Sequence, residues 1–307
     1  MPLTVWLPLP AADIPGLPEG PVYVHWDGEG DFPADPADAD FYVPPYLKGA
    51  EVANRPLRHG ARPRVVQTLT AGTDHVQAAV EPGTLLCNAR GVHEASTAEL
   101  ALALTLASLR GIPHFVHGQD AEEWRAGYYP ALADRTALVV GYGAIGSAIE
   151  DRLVPFECDV LRVARSTREA PRGPVHALAE LPALLPRADV VILSTPLTDA
   201  TRHLVDADFL SRMRDGALLV NVARGAVVDT QALLAELESG RLRAALDVTD
   251  PEPLPKGHPL WHAPGLLISP HVGGSTSAFL PRAKRLLRSQ LLRFVAGEPL
   301  EHVVTTG

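Results

Sequence analysis

Three glycines at G-x-G-x-x-G spacing, Gly141, Gly143 and Gly146, follow the apolar run Val139-Val140 and open onto the helix-forming segment Ala144-Ile145-Gly146-Ser147-Ala148-Ile149. That order describes a strand turning tightly into a helix, where the lack of Cβ atoms lets a pyrophosphate approach the helix's N-terminal amides. Few folds accommodate it. The next apolar run, Val160 to Val163, ends in Ala164-Arg165-Ser166-Thr167-Arg168. A site for NAD usually places an acid there, roughly 20 residues beyond the turn, to hold the ribose 2′-hydroxyl. Ala164 removes the repulsion against a 2′-phosphate, and Arg165, Ser166 and Arg168 supply partners for one. The expectation is NADP(H) preferred, with NAD(H) possible.

From Thr136 onward, strand-like and helix-like runs alternate. Ala137–Val140, Val160–Val163, Asp189–Leu193, Ala217–Asn221, Ala244–Val248 and Leu266–Ile268 read as strands, with helices such as Ala144–Leu153 and Thr230–Glu238 between them. Continuous apolar strands separated by helices imply a parallel sheet covered on both faces, a Rossmann-type doubly wound α/β arrangement. Before this series, Thr4–Leu7, Val22–Trp26, Asp40–Val43, Val65–Leu69 and Leu85–Asn88 read as shorter strands among Pro, Gly and Asp turns, with Asp74–Val80 helical or loop. They predict a second, smaller, flavodoxin-like α/β substrate domain. Glu94–Arg110 reads as a long buried helix ended by Gly111 and Pro113. Pro281–Val295 reads as an amphipathic helix that returns to the first domain, with Gly297 beyond its end. The expected division is residues 1–93 and 276–307 for the discontinuous substrate domain and 94–275 for the dinucleotide-binding domain.

With 307 residues and 46% hydrophobic content, the chain has material for two cores. The 36 acidic residues exceed the 27 basic ones, for a formal charge of −9, and no basic block argues for nucleic acid. No apolar run approaches the roughly 20 residues of a membrane span. The opening Met1-Pro2-Leu3-Thr4-Val5-Trp6 lacks the basic and apolar regions of a signal peptide. A cytoplasmic protein is the expectation. Cys87 and Cys158 stand apart, without metal-ligand or disulfide spacing. His114 and His117 have i, i+3 spacing but no evident third ligand, so no metal is expected.

Ligands of such sheets bind beyond the carboxyl ends of the strands. Those ends read Ser194-Thr195-Pro196, Asn221-Val222-Ala223-Arg224-Gly225, Asp247, and Ser269-Pro270-His271-Val272-Gly273, with Asp250-Pro251-Glu252-Pro253 between the last two. Together with the glycine turn they make Gly141, Gly143, Ala144, Ile145, Gly146, Thr195, Pro196, Val222, Ala223, Asp247, His271 and Gly273 candidates for cofactor contact. Arg224, Glu252 and His271 form a set suited to hydride transfer on a 2-oxo acid. Arginine offers a planar fork that binds the carboxylate and polarises the carbonyl. Histidine titrates where a proton donor is useful, and a carboxylate beside it favours the charged imidazole.

The combination Gly141-x-Gly143-x-x-Gly146, Asn221-Val-Ala-Arg224-Gly-Ala-Val-Val-Asp229, Ala245-Leu-Asp247-Val, Asp250-Pro-Glu252-Pro253 and Pro270-His271-Val-Gly-Gly resembles the D-isomer-specific 2-hydroxyacid dehydrogenase family. The likeness is good from about Arg64 to the end and looser before. It implies Arg224 in substrate binding, Glu252 as partner of the histidine, and His271 as general acid/base. It also implies that Asp247 contacts the nicotinamide carboxamide and that the amides of Ala71 and Gly72 hold the substrate carboxylate. Ala164-Arg165-Ser166 is similar to the NADPH-preferring glyoxylate/hydroxypyruvate reductase branch, so the expected substrate is a small 2-oxo or 2-hydroxy acid and the expected direction reduction. The resemblance implies a homodimer, with the Glu94–Arg110 helix and its neighbours as contributors. Trp124 corresponds to an aromatic that some members place near the active-site mouth, and it also suits core or interface packing. Tyr42 and Tyr46, in Phe41-Tyr42-Val43-Pro44-Pro45-Tyr46, are candidates for shaping specificity. Three other readings share the fold. Formate dehydrogenases carry Gln at the position of Glu252, phosphite dehydrogenase normally uses NAD, and related transcriptional corepressors use the fold as a dinucleotide-sensing scaffold.

Overall fold

The computed structural model describes residues 2–304, in two compact units. Among the described residues, unit 1 comprises 2–93 and 277–304 and unit 2 comprises 94–276, so the second is inserted in the sequence of the first.

Unit 1 is built on five parallel strands, β1 (Thr4–Leu7), β2 (Val22–His25), β3 (Phe41–Tyr42), β4 (Val65–Gln67) and β5 (Leu85–Cys87), in the order β2-β1-β3-β4-β5. This is the flavodoxin-like order. Alternate residues serve opposite faces. Val5, Leu7, Phe41 and Val65 join one core, whereas Trp6, Tyr42 and Val66 join the other. Tyr42 is fully buried and donates its hydroxyl to the Ala53 carbonyl at 2.8 Å. It therefore supports the core, whereas the sequence had made it a candidate for shaping specificity.

The helix Phe279–Ala296 completes unit 1. Its buried residues Ala283, Leu286, Leu287, Gln290, Leu291 and Phe294 recur at helical spacing and pack on the first of these cores. Gln290 fastens it. Its Nε2 donates to Gln67 Oε1 at 2.7 Å and to the Glu301 carbonyl at 2.9 Å, while its Oε1 accepts from Glu301 N at 2.9 Å. Val304 N then donates to the Leu86 carbonyl at 2.7 Å, which ties the tail to β5.

Unit 2 contains an eight-stranded sheet. Its strands are β6 (Thr136–Val140), β7 (Asp159–Ala164), β8 (Arg168–Ala170), β9 (Gly173–Ala177), β10 (Val190–Leu193), β11 (Leu218–Asn221), β12 (Arg243–Leu246) and β13 (Leu266–Ile268). The order is β13-β12-β11-β10-β6-β7-β9-β8, parallel except for the edge strand β8. Strands β6 and β10 are neighbours although chain order runs away from β6 on both sides, which marks the topological switch point where ligands bind. Leu138, Val140, Val191 and Leu193 face one core and Ala137, Val139, Val190 and Ile192 the other. Period-2 burial on both faces explains why these strands read as unbroken apolar runs.

The helix Glu94–Leu109 leaves only Glu99 and Ala103 exposed. Its buried residues, among them Ala98, Ala101, Leu102, Leu104 and Leu109, pack into a core of unit 2. Gly111 takes a left-handed conformation at φ 68°, and Pro113 occupies the first turn of a further helix, Ile112–Asp120. Proline there starts a helix instead of merely stopping one, because the first-turn N–H has no intrahelical acceptor to lose. Trp124 and Tyr128 lie in the irregular segment beyond it with relative exposures of 97% and 107%, so neither packs in the core. Among the described residues no helix is long and apolar enough to cross a membrane.

Replacing Gln290 with Leu removes three hydrogen bonds and strands the buried Gln67 oxygen. The expected loss is about 2–4 kcal/mol of stability, read from the urea transition; an unchanged midpoint would show that the amide clasp does not hold the helix.

Candidate active site

The glycine turn leaves the carboxyl end of β6 with its backbone pressed against neighbouring chain. A Cβ on Gly141 would lie 2.4 Å from Thr195 N, and one on Gly146 would lie 2.6 Å from the Gly141 carbonyl. At Gly143 there is nothing within 4 Å, which leaves an open approach at the N-terminus of helix Ala144–Leu153. Two glycines admit packing and the third admits a ligand, the division of labour a pyrophosphate requires. The residues present therefore fit a dinucleotide. Gly141 N and Tyr142 N both donate to the Val163 carbonyl at 2.8 Å, tying the turn to the end of β7. Ala164 follows directly, and Arg165, Ser166 and Arg168 are exposed beyond it. Thr195 is buried and Pro196 exposed past the end of β10.

Beyond β11, Asn221 folds the chain into a tight loop. Its Oδ1 accepts from Ala223 N at 3.0 Å and its Nδ2 donates to the Arg224 carbonyl at 2.9 Å. Val222 and Ala223 are buried in that loop. The following Gly225 is compulsory, since a Cβ would fall 1.9 Å from the Thr249 carbonyl. Arg224 is held at this crossing, half-buried, with Nη1 donating to the Ala223 carbonyl at 2.8 Å. Asp229, five residues on, caps helix Thr230–Glu238 by accepting from Gln231 N and Ala232 N.

Asp247, at the end of β12, is buried and organises the next loop. Its Oδ1 accepts from Ser269 Oγ at 2.6 Å and Val272 N at 2.9 Å, and its Oδ2 accepts from Gly273 N at 2.9 Å. The Asp247 carbonyl also accepts from His271 N at 2.7 Å. This clamp holds His271 at φ 52°, a left-handed conformation that costs a non-glycine residue about 1–2 kcal/mol. An outlier kept by that many bonds is characteristic of a side chain aimed for a purpose.

That side chain meets Glu252. His271 Nδ1 lies 2.5 Å from Glu252 Oε1, and both side chains are partly exposed. The Glu252 hydrogen bond holds the His271 pKa above the ordinary histidine value, while burial and the Arg224 charge pull it down less strongly. Burial pushes the Glu252 carboxyl up, but the hydrogen bond and charge of His271, with help from Arg224, leave it below its usual range. The pair is thus biased toward imidazolium and carboxylate. With Nδ1 committed to Glu252, Nε2 is the nitrogen that remains for a ligand. The structure brings Arg224, Glu252 and His271 into mutual electrostatic reach. It gives Asp247 the task of orienting a loop, a structural alternative to cofactor contact that the sequence also allowed, and the hydroxyl of Ser269 joins that task.

Ala71 and Gly72 lie in unit 1, in a loop past the end of β4. Thr70 Oγ1 donates to the Gly72 carbonyl at 2.7 Å, and Asn88 Nδ2 donates to the Ala71 carbonyl at 3.2 Å. Tyr46 stacks on Phe279 with ring centroids 4.0 Å apart. Among the described residues no cluster of three or more His, Cys, Asp or Glu is placed to hold a metal. The sequence missed the β8–β9 hairpin and the buried Tyr142–Glu150–Arg162 network under the glycine turn. Its one signal was an acid on the packed side of a helix and a base inside a strand.

A doubly wound sheet with an open glycine turn and an Arg, Glu and His set at its strand ends defines a dinucleotide-dependent oxidoreductase. Residues 102–273 match the family D-isomer specific 2-hydroxyacid dehydrogenase, NAD binding domain. The chain belongs to the D-isomer specific 2-hydroxyacid dehydrogenase family. It is 33% identical to the human glyoxylate reductase/hydroxypyruvate reductase, over 78% of this chain and 76% of that protein. It is 32% identical to D-3-phosphoglycerate dehydrogenase of Methanocaldococcus jannaschii, over 87% of this chain but only 52% of that protein's length. Among solved structures, the NADPH-dependent glyoxylate/hydroxypyruvate reductase of Sinorhizobium meliloti, in complex with NADP and sulfate, aligns with a TM-score of 0.83 at 26% identity, covering 99% of this chain and 98% of that one.

The raised His271 pKa sets a sign for pH dependence. Any reaction that takes its proton from His271 finds that proton present below the raised value and loses it as pH climbs through it, so such turnover should fall on the alkaline side. Glu252→Gln removes the anionic partner, and the alkaline limb should move to lower pH. A limb that stays in place would separate Glu252 from the titration.

Proposed function

We propose that the protein reduces a small 2-oxo acid, such as glyoxylate or hydroxypyruvate, to the D-2-hydroxy acid with NADPH preferred and NADH possible. The 2.5 Å contact between His271 Nδ1 and Glu252 carries this reading, because it keeps a proton available at the carboxyl edge of the same sheet from which the open glycine turn leaves β6. Bound NADPH supplies a hydride to the carbonyl carbon. His271 donates the proton from Nε2 to the carbonyl oxygen. The guanidinium of Arg224 binds the carboxylate and polarises that carbonyl. Glu252 holds the imidazole in orientation and stabilises its charged form. The amides of Ala71 and Gly72 are proposed to bind the substrate carboxylate.

The cofactor contacts proposed are Gly141, Gly143, Ala144, Ile145 and Gly146 at the pyrophosphate, Ala164, Arg165, Ser166 and Arg168 at the 2′-phosphate, and Thr195, Pro196, Val222, Ala223 and Gly273 along the strand ends. Three of the carboxylate's roughly four acceptor positions on Asp247 are taken by the Ser269–Gly273 segment, and the remaining one is proposed to accept from the nicotinamide carboxamide. A homodimer is proposed, supported by Ile112, Phe115, Val116, Trp124 and Tyr128, which expose apolar surface within one short stretch.

Purified protein assayed with NADPH and NADH against a panel of small 2-oxo acids tests the reaction; no oxidation of either cofactor would sink it. His271→Ala should lower turnover by about 10²–10⁴-fold with cofactor affinity nearly intact, measured by steady-state kinetics and cofactor titration. Arg165→Ala should raise the KM for NADPH more than that for NADH. An unchanged ratio would remove the 2′-phosphate assignment.

A further inference from the structure

Tyr142 is the residue between the first two glycines, where the ligand-facing job belongs to the backbone. Its side chain is nonetheless engaged on every polar point. The hydroxyl donates to Glu150 Oε2, and Glu150 is completely buried. Burial first, and the Glu150 hydrogen bond second, push the Tyr142 pKa up, so the phenol keeps its proton. Arg162, inside β7, closes the set: Nε donates to Glu150 Oε2 at 2.9 Å and Nη2 donates to Oε1. A buried carboxylate held by a two-pronged guanidinium and a phenol is a rigid base.

The hairpin beyond β7 brings a second guanidinium to the same ring. Arg162 is registered with Val175 of β9 across the parallel pair, and Arg168 of β8 is registered with Val175 across the antiparallel pair. Residues directly opposite share a face, so Arg162, Val175 and Arg168 stand in a row on the side that carries Tyr142. The guanidinium carbons of Arg162 and Arg168 lie 5.9 Å and 6.0 Å from the centre of the Tyr142 ring, within cation–π range. Arg168 Nη2 also donates to the Tyr142 carbonyl. One donor is spent there, and a guanidinium has five.

We propose that Tyr142 is a positioning residue for cofactor selectivity: its ring, fixed from below by Glu150 and Arg162, holds Arg168 at the rim of the nucleotide site so that a 2′-phosphate meets a guanidinium already in place. This rests on the NADPH reading above. An exposed arginine otherwise gives up rotamer freedom when it binds phosphate, and prior ordering removes that loss. The hairpin β8–β9 has a purpose on this account. It turns the chain back after Arg165 and Ser166 and returns Arg168 to the glycine turn.

The test is binding of the adenosine half alone, by isothermal titration calorimetry with 2′,5′-ADP and with 5′-AMP. Wild type should bind 2′,5′-ADP more tightly. Tyr142→Leu should lose about tenfold in 2′,5′-ADP affinity, the scale of one charge-assisted hydrogen bond, with 5′-AMP affinity changed less than about twofold. Tyr142→Phe keeps the ring and should keep the preference. Equal losses for both ligands in Tyr142→Leu would show a role in shaping the glycine turn only and overturn the proposal. A preference retained in Tyr142→Leu, or one lost equally in Tyr142→Phe, would also overturn it while leaving the NADPH reading intact. A wild type without preference would sink both. Should Tyr142→Leu fail to fold, Arg168→Lys tests the arrangement from the other side. Lysine keeps the charge but cannot span ring, carbonyl and phosphate, so full preference in that variant would overturn the proposal.

Discussion

The buried carboxylate of Asp247 is the constraint on which the reacting end of the site depends. Its two oxygens collect three donors from the Ser269–Gly273 segment, and its own carbonyl takes the His271 amide. Without those bonds a histidine at φ 52° would relax toward an ordinary conformation and the imidazole would leave Glu252. Such a clamp is available only at the end of a strand buried on both faces, where the carboxylate is kept from water and its hydrogen bonds are worth more. The doubly wound sheet therefore contributes more than a platform. It creates the dry strand end in which one aspartate can dictate a loop.

The nucleotide end obeys a similar rule with different parts. There the backbone is packed until no Cβ fits at Gly141 or Gly146, and space opens at Gly143. The side chains beneath it are polar and fully engaged with one another, through Tyr142, Glu150 and Arg162. Removing one partner from a buried set of this kind leaves a charge without compensation and is costly. Rigidity at both ends follows from saturated hydrogen bonding as much as from apolar packing.

Much of this was legible in the sequence because chemistry and architecture coincide there. Arg224, Asp247 and His271 each follow an apolar run, so reading strand ends was enough to collect them, and Glu252 stood out between two of them. The alternation of apolar strands with helices disclosed the parallel sheet, and the amphipathic spacing in Pro281–Val295 disclosed the helix that the structure extends to Phe279–Ala296. What stayed hidden depends on pairing across elements. Arg168 and Glu169 give β8 no strand-like pattern, and only its register with β9 makes it one. Glu150 lies in a helix and Arg162 in the strand that follows it, and periodicity within either element says nothing about a charge finding its partner in the other. Tyr42 looked available for ligands because its loop was expected to face the substrate; its hydroxyl's acceptor, the Ala53 carbonyl, comes from another element. Pro113 was ambiguous in kind, since the same residue ends one helix and belongs in the first turn of the next.

The central claim is that Glu252 keeps a proton on His271 at the strand ends of unit 2. Nitrogen-15 NMR of the labelled imidazole, followed against pH, measures this directly. The account predicts that His271 remains doubly protonated above the ordinary histidine range and that Glu252→Gln returns it toward that range. A His271 that titrates at the ordinary value in the wild type, or that is indifferent to Glu252, would contradict it.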